Sequence, residues 1–198
     1  MSFVSAFIQR VLNRVENAAS REQIRRLRSA GSGIVLGRGV KIEHPECVSL
    51  GDRVHLNDHC WLSVLTENRE TGNPTMTLQP ELRIGDGCYI GRFGTLACIN
   101  RVILGRDVMI SDRVFIGDAV HGFARSDLPV RDQYLTSKGS VEIGDGTWIG
   151  IGVSILPNVA IGRNCVIGAN SVVTRDVPDF CVVAGNPAKV IRSIAESS

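Results

Sequence analysis

Four histidines, His44, His55, His59 and His121, are the side chains in this chain whose types and settings could move protons or hold a metal. His121 stands apart: Gly122 follows it, Asp118 lies three residues before it, and it opens a segment where a regular pattern breaks off. A neutral imidazole is the side chain best poised at pH 7 to take the proton of a weakly acidic hydroxyl. Asp118 could orient that imidazole or hold an acceptor, and an ordinary corner aspartate is an equally good reading. His55 and His59 are four residues apart and resemble a metal pair. Yet His55 alternates with inward Val54 and Leu56 and so faces outward, far along the chain from His121. No metal is expected. His44, before Pro45 in an irregular stretch, reads as a surface residue. The six cysteines form no C-x-x-C pair and read as small buried hydrophobes.

A repeat beginning near residue 31 must position these side chains. Aliphatic residues recur every six positions: Leu50, Leu56 and Leu62, then Ile84, Ile90 and Leu96, then Leu104, Ile110 and Ile116. A longer run holds Ile143, Ile149, Ile155, Ile161, Ile167 and Val173 without slip. The residue two before each is small or apolar in many repeats, as at Val54, Cys60, Val114 and Val153. A six-residue period fits neither an amphipathic helix nor an alternating hairpin sheet. A short strand plus a corner does fit, because residues i and i−2 share the inner face of a strand and the Gly or Asn after them turns the chain. Three such sides make a triangular coil of ~18 residues, and coils stack at roughly 4.8 Å. The result is an all-β solenoid, a parallel β-helix of about five to six coils. Residues 64–82 and 118–141 break the period, and such excursions leave on the outer face, where binding loops sit.

The segment before the repeat differs. Residues 3–28 contain no Gly or Pro, and Val4, Ile8, Val11, Val15 and Ala18 mark one helix face. Six arginines stand there against Glu16 and Glu22, so the chain's net charge of +2 is concentrated in this helix. The domain reading is therefore an amphipathic basic helix over 1–30 and the repeat over 31–198. The helix either caps the repeat or meets anionic lipid. Lysine plus arginine total 22 against 20 aspartate plus glutamate, too near balance for dedicated nucleic-acid binding. No run of ~18 apolar residues occurs and no signal peptide is evident, so a cytoplasmic address is expected, with peripheral contact at the inner membrane face through residues 3–28 as one option.

The hexapeptide periods, the run "IGDGTWIGIGVSILPNVAIGRNCVIGANSVVTRDVP" and the ending "VVAGNPAKVIR" resemble the trimeric hexapeptide-repeat acyltransferases. Through "ISDRVFIGDAVHGF" before a polar excursion, the likeness leans to the sugar O-acetyltransferases of lipopolysaccharide and capsule biosynthesis. The resemblance spans residues 34–192 and implies a left-handed β-helix, a homotrimer, acetyl-CoA in the groove between neighbours and His121 as base. It implies donor contacts at Trp148 against the pantetheine arm, at Ile151 and Ala169 through backbone amides, and at Thr174 and Arg175 near the arm's far end. Lys189 and Arg192 fall where phosphates would lie, which requires cations. One departure concerns the Asn that maltose- and galactoside-type enzymes use on the acceptor: "CYIGRFGTL" has Gly91 and Arg92 instead. That tilts the expectation toward a polysaccharide or glycolipid acceptor, with Arg92 free to meet an anionic group.

The leading expectation is an acetyl-CoA-dependent O-acetyltransferase acting on a sugar hydroxyl in cell-surface polysaccharide or glycolipid biosynthesis. The hydroxyl would attack the thioester directly, which agrees with the lack of a G-x-S-x-G nucleophile elbow. Amino-sugar N-acetylation needs the same base and stays open. So do a γ-carbonic-anhydrase-like metalloenzyme on the same fold, which the histidine spacing disfavours, and a non-catalytic scaffold.

Overall fold

A computed structural model describes residues 18–194. Residues 18–25 are helical, and the chain then turns so that Leu27 enters the core and the Arg28 N–H donates to the carbonyls of Pro45 and Val48. The helix therefore stops three residues short of the amphipathic stretch read from the sequence. Most of that stretch, and the lipid-facing reading of it, lie outside the described residues. No described helix is long and apolar enough to cross a membrane.

From Ser29 onward the chain visits three sheets in strict rotation. The first stacks Ser29–Ala30, Val48–Leu50, Glu81–Ile84, Arg101–Leu104, Val141–Ile143 and Val159–Ile161. The second holds Val35–Leu36, His55–Leu56, Tyr89–Ile90, Met109–Ile110, Trp148–Ile149, Val166–Ile167 and Cys181–Gly185. It ends with Ala188–Ser193 folded back antiparallel on Cys181–Gly185. The third stacks Lys41–Ile42, Trp61–Val64, Thr95–Cys98, Phe115–Gly117, Ser154–Ile155 and Val172–Val173. Neighbours within each stack are otherwise parallel, so one side of every turn lies directly over the same side of the turn below.

Register follows from the six-residue period. Leu50, Ile84, Leu104, Ile143 and Ile161 align in the first sheet, and Leu56, Ile90, Ile110, Ile149 and Ile167 in the second. Leu62, Leu96, Ile116, Ile155 and Val173 align in the third. These side chains and their i−2 partners, among them Val54, Cys60 and Val153, form one continuous buried core. Each fully buried Leu or Ile contributes roughly 1.5–3 kcal/mol by leaving water, which is how strands of two to four residues persist.

The corners are held by backbone and by aspartates. A Cβ on Gly105 would lie 2.3 Å from Asp145 Oδ1, so successive turns pass too closely there for any side chain. Asp145 Oδ1 accepts the Arg106 N–H at 2.7 Å while its other oxygen meets the guanidinium, and Asp112 does the same for Arg92. The outward faces differ. Arg83, Glu81, Arg101 and Glu142 form an ion-pair network on the first sheet, whereas Val35, Tyr89, Met109 and Trp148 leave an apolar stripe on the second.

Candidate active site

One corner, that between the third and first sheets, gathers the chemistry. His44 occupies it two residues past Ile42. Both excursions leave from it higher up, after Trp61–Val64 and after Phe115–Gly117. The first contains a short hairpin of Glu67–Asn68 and Met76–Thr77, the second a hairpin of Ala119–His121 and Leu135–Ser137.

The two excursions are joined. Asn68 is buried, and its side-chain amide brackets Leu135, donating to the carbonyl at 2.7 Å and accepting the N–H at 2.8 Å. An asparagine placed so imitates the edge of an antiparallel strand. The Thr71 N–H donates to the Asp132 carbonyl, the Tyr134 hydroxyl donates to the Pro74 carbonyl, and Arg125 reaches Glu70 at 3.5 Å. Within the second excursion Gln133, also buried, bonds Arg125 and Leu128 and folds the tip. Gly122 is required for closure: its N–H donates to the Tyr134 carbonyl at 2.9 Å, and a Cβ there would lie 2.4 Å from that oxygen. The Gly after the histidine is thus a backbone crossing point.

Together the excursions and His44 enclose a hollow of about 560 Å³ whose lining includes His44, Thr66, Asn68, His121, Arg131 and Gln133. His121 is exposed at its wall, and among the described residues no side-chain hydrogen bond or ion pair engages its ring. His44, read from the sequence as a surface residue, is exposed and also lines this hollow, with Nδ1 3.1 Å from Glu46 Oε1. Asp118 is wholly buried, and none of its side-chain hydrogen bonds goes to His121. Its carboxylate accepts the N–H groups of Ile99, Asn100 and Arg101 at 2.9, 2.9 and 2.6 Å, so the contacts are those of a corner aspartate. Arg92 lies elsewhere, between the second and third sheets, paired with Asp112. His55 packs edge-on against Tyr89 and His59 stacks on Phe93. No group of three His, Cys, Asp or Glu side chains among the described residues could hold a metal.

The residues expected to meet a donor form a second locus. Trp148 projects from the second sheet, exposed, with Nε1 donating to Ser111 Oγ at 3.2 Å. Ile151 and Ala169 occupy the same corner in successive turns, both exposed. Thr174 and Arg175 follow the last strand of the third sheet. Lys189 and Arg192 are exposed on the final strand, where Arg192 pairs with Val182, in turn aligned with Val166 and Trp148. None of these lines the His121 hollow.

Thiol chemistry is disfavoured. Burial pushes the Cys60 and Cys88 thiols up to about 11 and Cys98 higher still, where the Asp118 charge adds to it. These thiols stay protonated at neutral pH and are poor nucleophiles.

A three-sided parallel solenoid with a histidine-lined hollow at one corner defines a hexapeptide-repeat architecture, and the family described as "Bacterial transferase hexapeptide (six repeats)" matches residues 140–175. That match spans 36 of the 198 residues, so the chain carries the repeat of that family over this stretch. It is 34% identical over 163 residues to "Probable acetyltransferase Rv3034c" of Mycobacterium tuberculosis, covering 81% of this chain and 50% of that protein. It is 39% identical over 116 residues to a galactoside O-acetyltransferase of Lactococcus lactis, covering 59% and 55%. A solved galactoside acetyltransferase in complex with coenzyme A superposes with a TM-score of 0.57 at 25% identity, over 85% of this chain and 66% of that one. The chain spans about half the length of the curated relatives it matches.

Proposed function

We propose that this protein is an acetyl-CoA-dependent acetyltransferase acting on a sugar hydroxyl in the assembly of a cell-surface polysaccharide or glycolipid. The observation that carries the reading is an unpartnered His121 in a hollow built by both excursions of a hexapeptide-repeat solenoid whose relatives are named acetyltransferases. Acetyl-CoA, when bound, supplies a thioester carbonyl. His121 takes the proton from the acceptor hydroxyl as its oxygen attacks that carbonyl, and returns the proton to the departing thiolate. Asp118 acts as a positioning residue, fixing the corner from which the His121 hairpin leaves. Trp148, Ile151 and Ala169 hold the pantetheine arm, Thr174 and Arg175 its far end, and Lys189 and Arg192 the phosphates. Fit is supported by exposure: Trp148 and Ile151 are open, and among the described residues the Ile151 and Ala169 N–H groups have no backbone acceptor.

The separation of the two loci bears on assembly. His121 and Trp148 belong to different faces of one chain, so a site using both requires a groove between subunits. A homotrimer of left-handed β-helices of five to six coils supplies it, with the His121 hairpin of one subunit facing the second-sheet stripe of the next. The test is turnover of acetyl-CoA with galactosides and amino sugars by wild type and His121→Asn. Loss of about a hundredfold or more in kcat for the variant is expected, and equal rates would remove the base assignment.

A further inference from the structure

His44 has what His121 lacks. The 3-10 turn Pro45–Cys47 holds it from one side through the Cys47 N–H on the His44 carbonyl at 2.8 Å. Arg28 clamps the same turn through its backbone N–H on the Pro45 carbonyl and its Nε on the Glu46 carbonyl, each at 3.0 Å. His44 itself sits at φ 46° and ψ 58°, left-handed, although the residue before a proline is ordinarily extended. His44 lines the hollow together with His121. Its Nδ1 is 3.1 Å from Glu46 Oε1, and Thr66 Oγ1 lies 3.4 Å from both ring nitrogens. A carboxylate on Nδ1 favours the Nδ1–H tautomer and leaves Nε2, 3.4 Å from the Thr66 hydroxyl, as a hydrogen-bond acceptor on a residue that lines the hollow. One proton leaves the acceptor in acyl transfer, and one base suffices for it. A second oriented imidazole suits a substrate with a second hydroxyl.

We propose that His44 is an acceptor-binding residue: held by Glu46, it accepts at Nε2 the hydrogen bond of a non-reacting hydroxyl of a polyol acceptor while His121 serves the reacting one. The proposal rests on the acyl-transfer reading above and adds the acceptor's class, a molecule with at least two neighbouring hydroxyls.

The experiment measures acetyl transfer to galactose, maltose and methyl β-galactoside by wild type, His44→Ala, His44→Gln and Glu46→Gln. Acetyl-CoA affinity by calorimetry and the histidine ring 15N signals are followed in the same preparations. His44→Ala raises the acceptor KM about tenfold, as loss of one hydrogen bond predicts, and leaves the acetyl-CoA Kd within about twofold. His44→Gln, whose amide oxygen can accept, recovers part of the loss. Wild type shows His44 as the Nδ1–H tautomer, and Glu46→Gln abolishes that preference. An acceptor KM unmoved in His44→Ala, a fall confined to kcat, or an Nε2–H tautomer in wild type overturns the proposal. Where acetyl-CoA binds but none of the sugars is turned over, a His44 ring signal that shifts on adding them supports it and an unmoved one overturns it. Absence of acetyl-CoA binding by folded wild type sinks the acyl-transfer reading instead, and the ring signals with sugar still decide His44 on their own.

Discussion

His121 and Asp118 are three residues apart and have opposite surroundings. The imidazole is open to the hollow, and the carboxylate is sealed beneath three amides of the turn below. Hydrogen bonds to a charged group are each worth about 1.5–3 kcal/mol, and removing the carboxylate also orphans buried donors. Asp118→Ala is therefore expected to cost about 3 kcal/mol or more and to lower Tm by about 6–12 °C. Asp118→Asn, which keeps one acceptor oxygen, should lose less. Thermal melts of the pair check this, and equal, unshifted melts would mean that the amides find other partners. The sequence made His121 conspicuous because it heads a break in the repeat, but gave no direction to Asp118: past the last hexad, no period says which way a side chain points.

At the scale of elements, the two hairpins act as one unit through Asn68. Truncating it leaves the Leu135 N–H and carbonyl unpaired in a partly buried setting, a penalty of about 1–3 kcal/mol. Asn68→Ala is expected to loosen both hairpins and raise the acceptor KM while acetyl-CoA affinity stays unchanged. Hydrogen exchange at 119–121 and 135–137 reports the first effect, and calorimetry reports the second. The six-residue period made the excursions legible, and residues 64–82 and 118–141 do break the strands. Their contact was harder to see, although a signal existed. Counting hexads in threes puts Ile42, Leu62 and Ile116 on the same side of the triangle, so His44 and both breaks share one corner. The Asn68 bracket itself has no sequence mark, since a lone Asn in a polar loop looks like any turn residue.

At the scale of the molecule, stability resides in stacked aliphatic ladders and in corner carboxylates. The backbone N–H of Arg92 and then its guanidinium hold the Asp112 carboxyl below the usual range, and Arg106 does the same for Asp145. A carboxyl depressed in the folded state contributes stability above its unfolded pKa of about 3.9 and loses it as pH falls through the folded value. Tm is expected to hold from pH 7 to 5 and to drop below about pH 4. The Asp112→Asn, Asp145→Asn double variant should show a shallower acid slope, and an unchanged slope would assign acid sensitivity to other groups. The solenoid itself was legible because a hexad every six residues allows few other folds. Assembly was not, since one outward stripe, Val35 to Trp148, says that a face is apolar and not what covers it.

The central claim is that an acetyl donor lies along the second-sheet face and meets His121 across a groove. Calorimetry of acetyl-CoA binding to wild type and Trp148→Ala tests it most directly. The account predicts measurable binding by wild type that Trp148→Ala weakens by about tenfold or more, as loss of a large aromatic contact implies. Equal affinities in the two proteins, or no binding to folded wild type at millimolar acetyl-CoA, would contradict it.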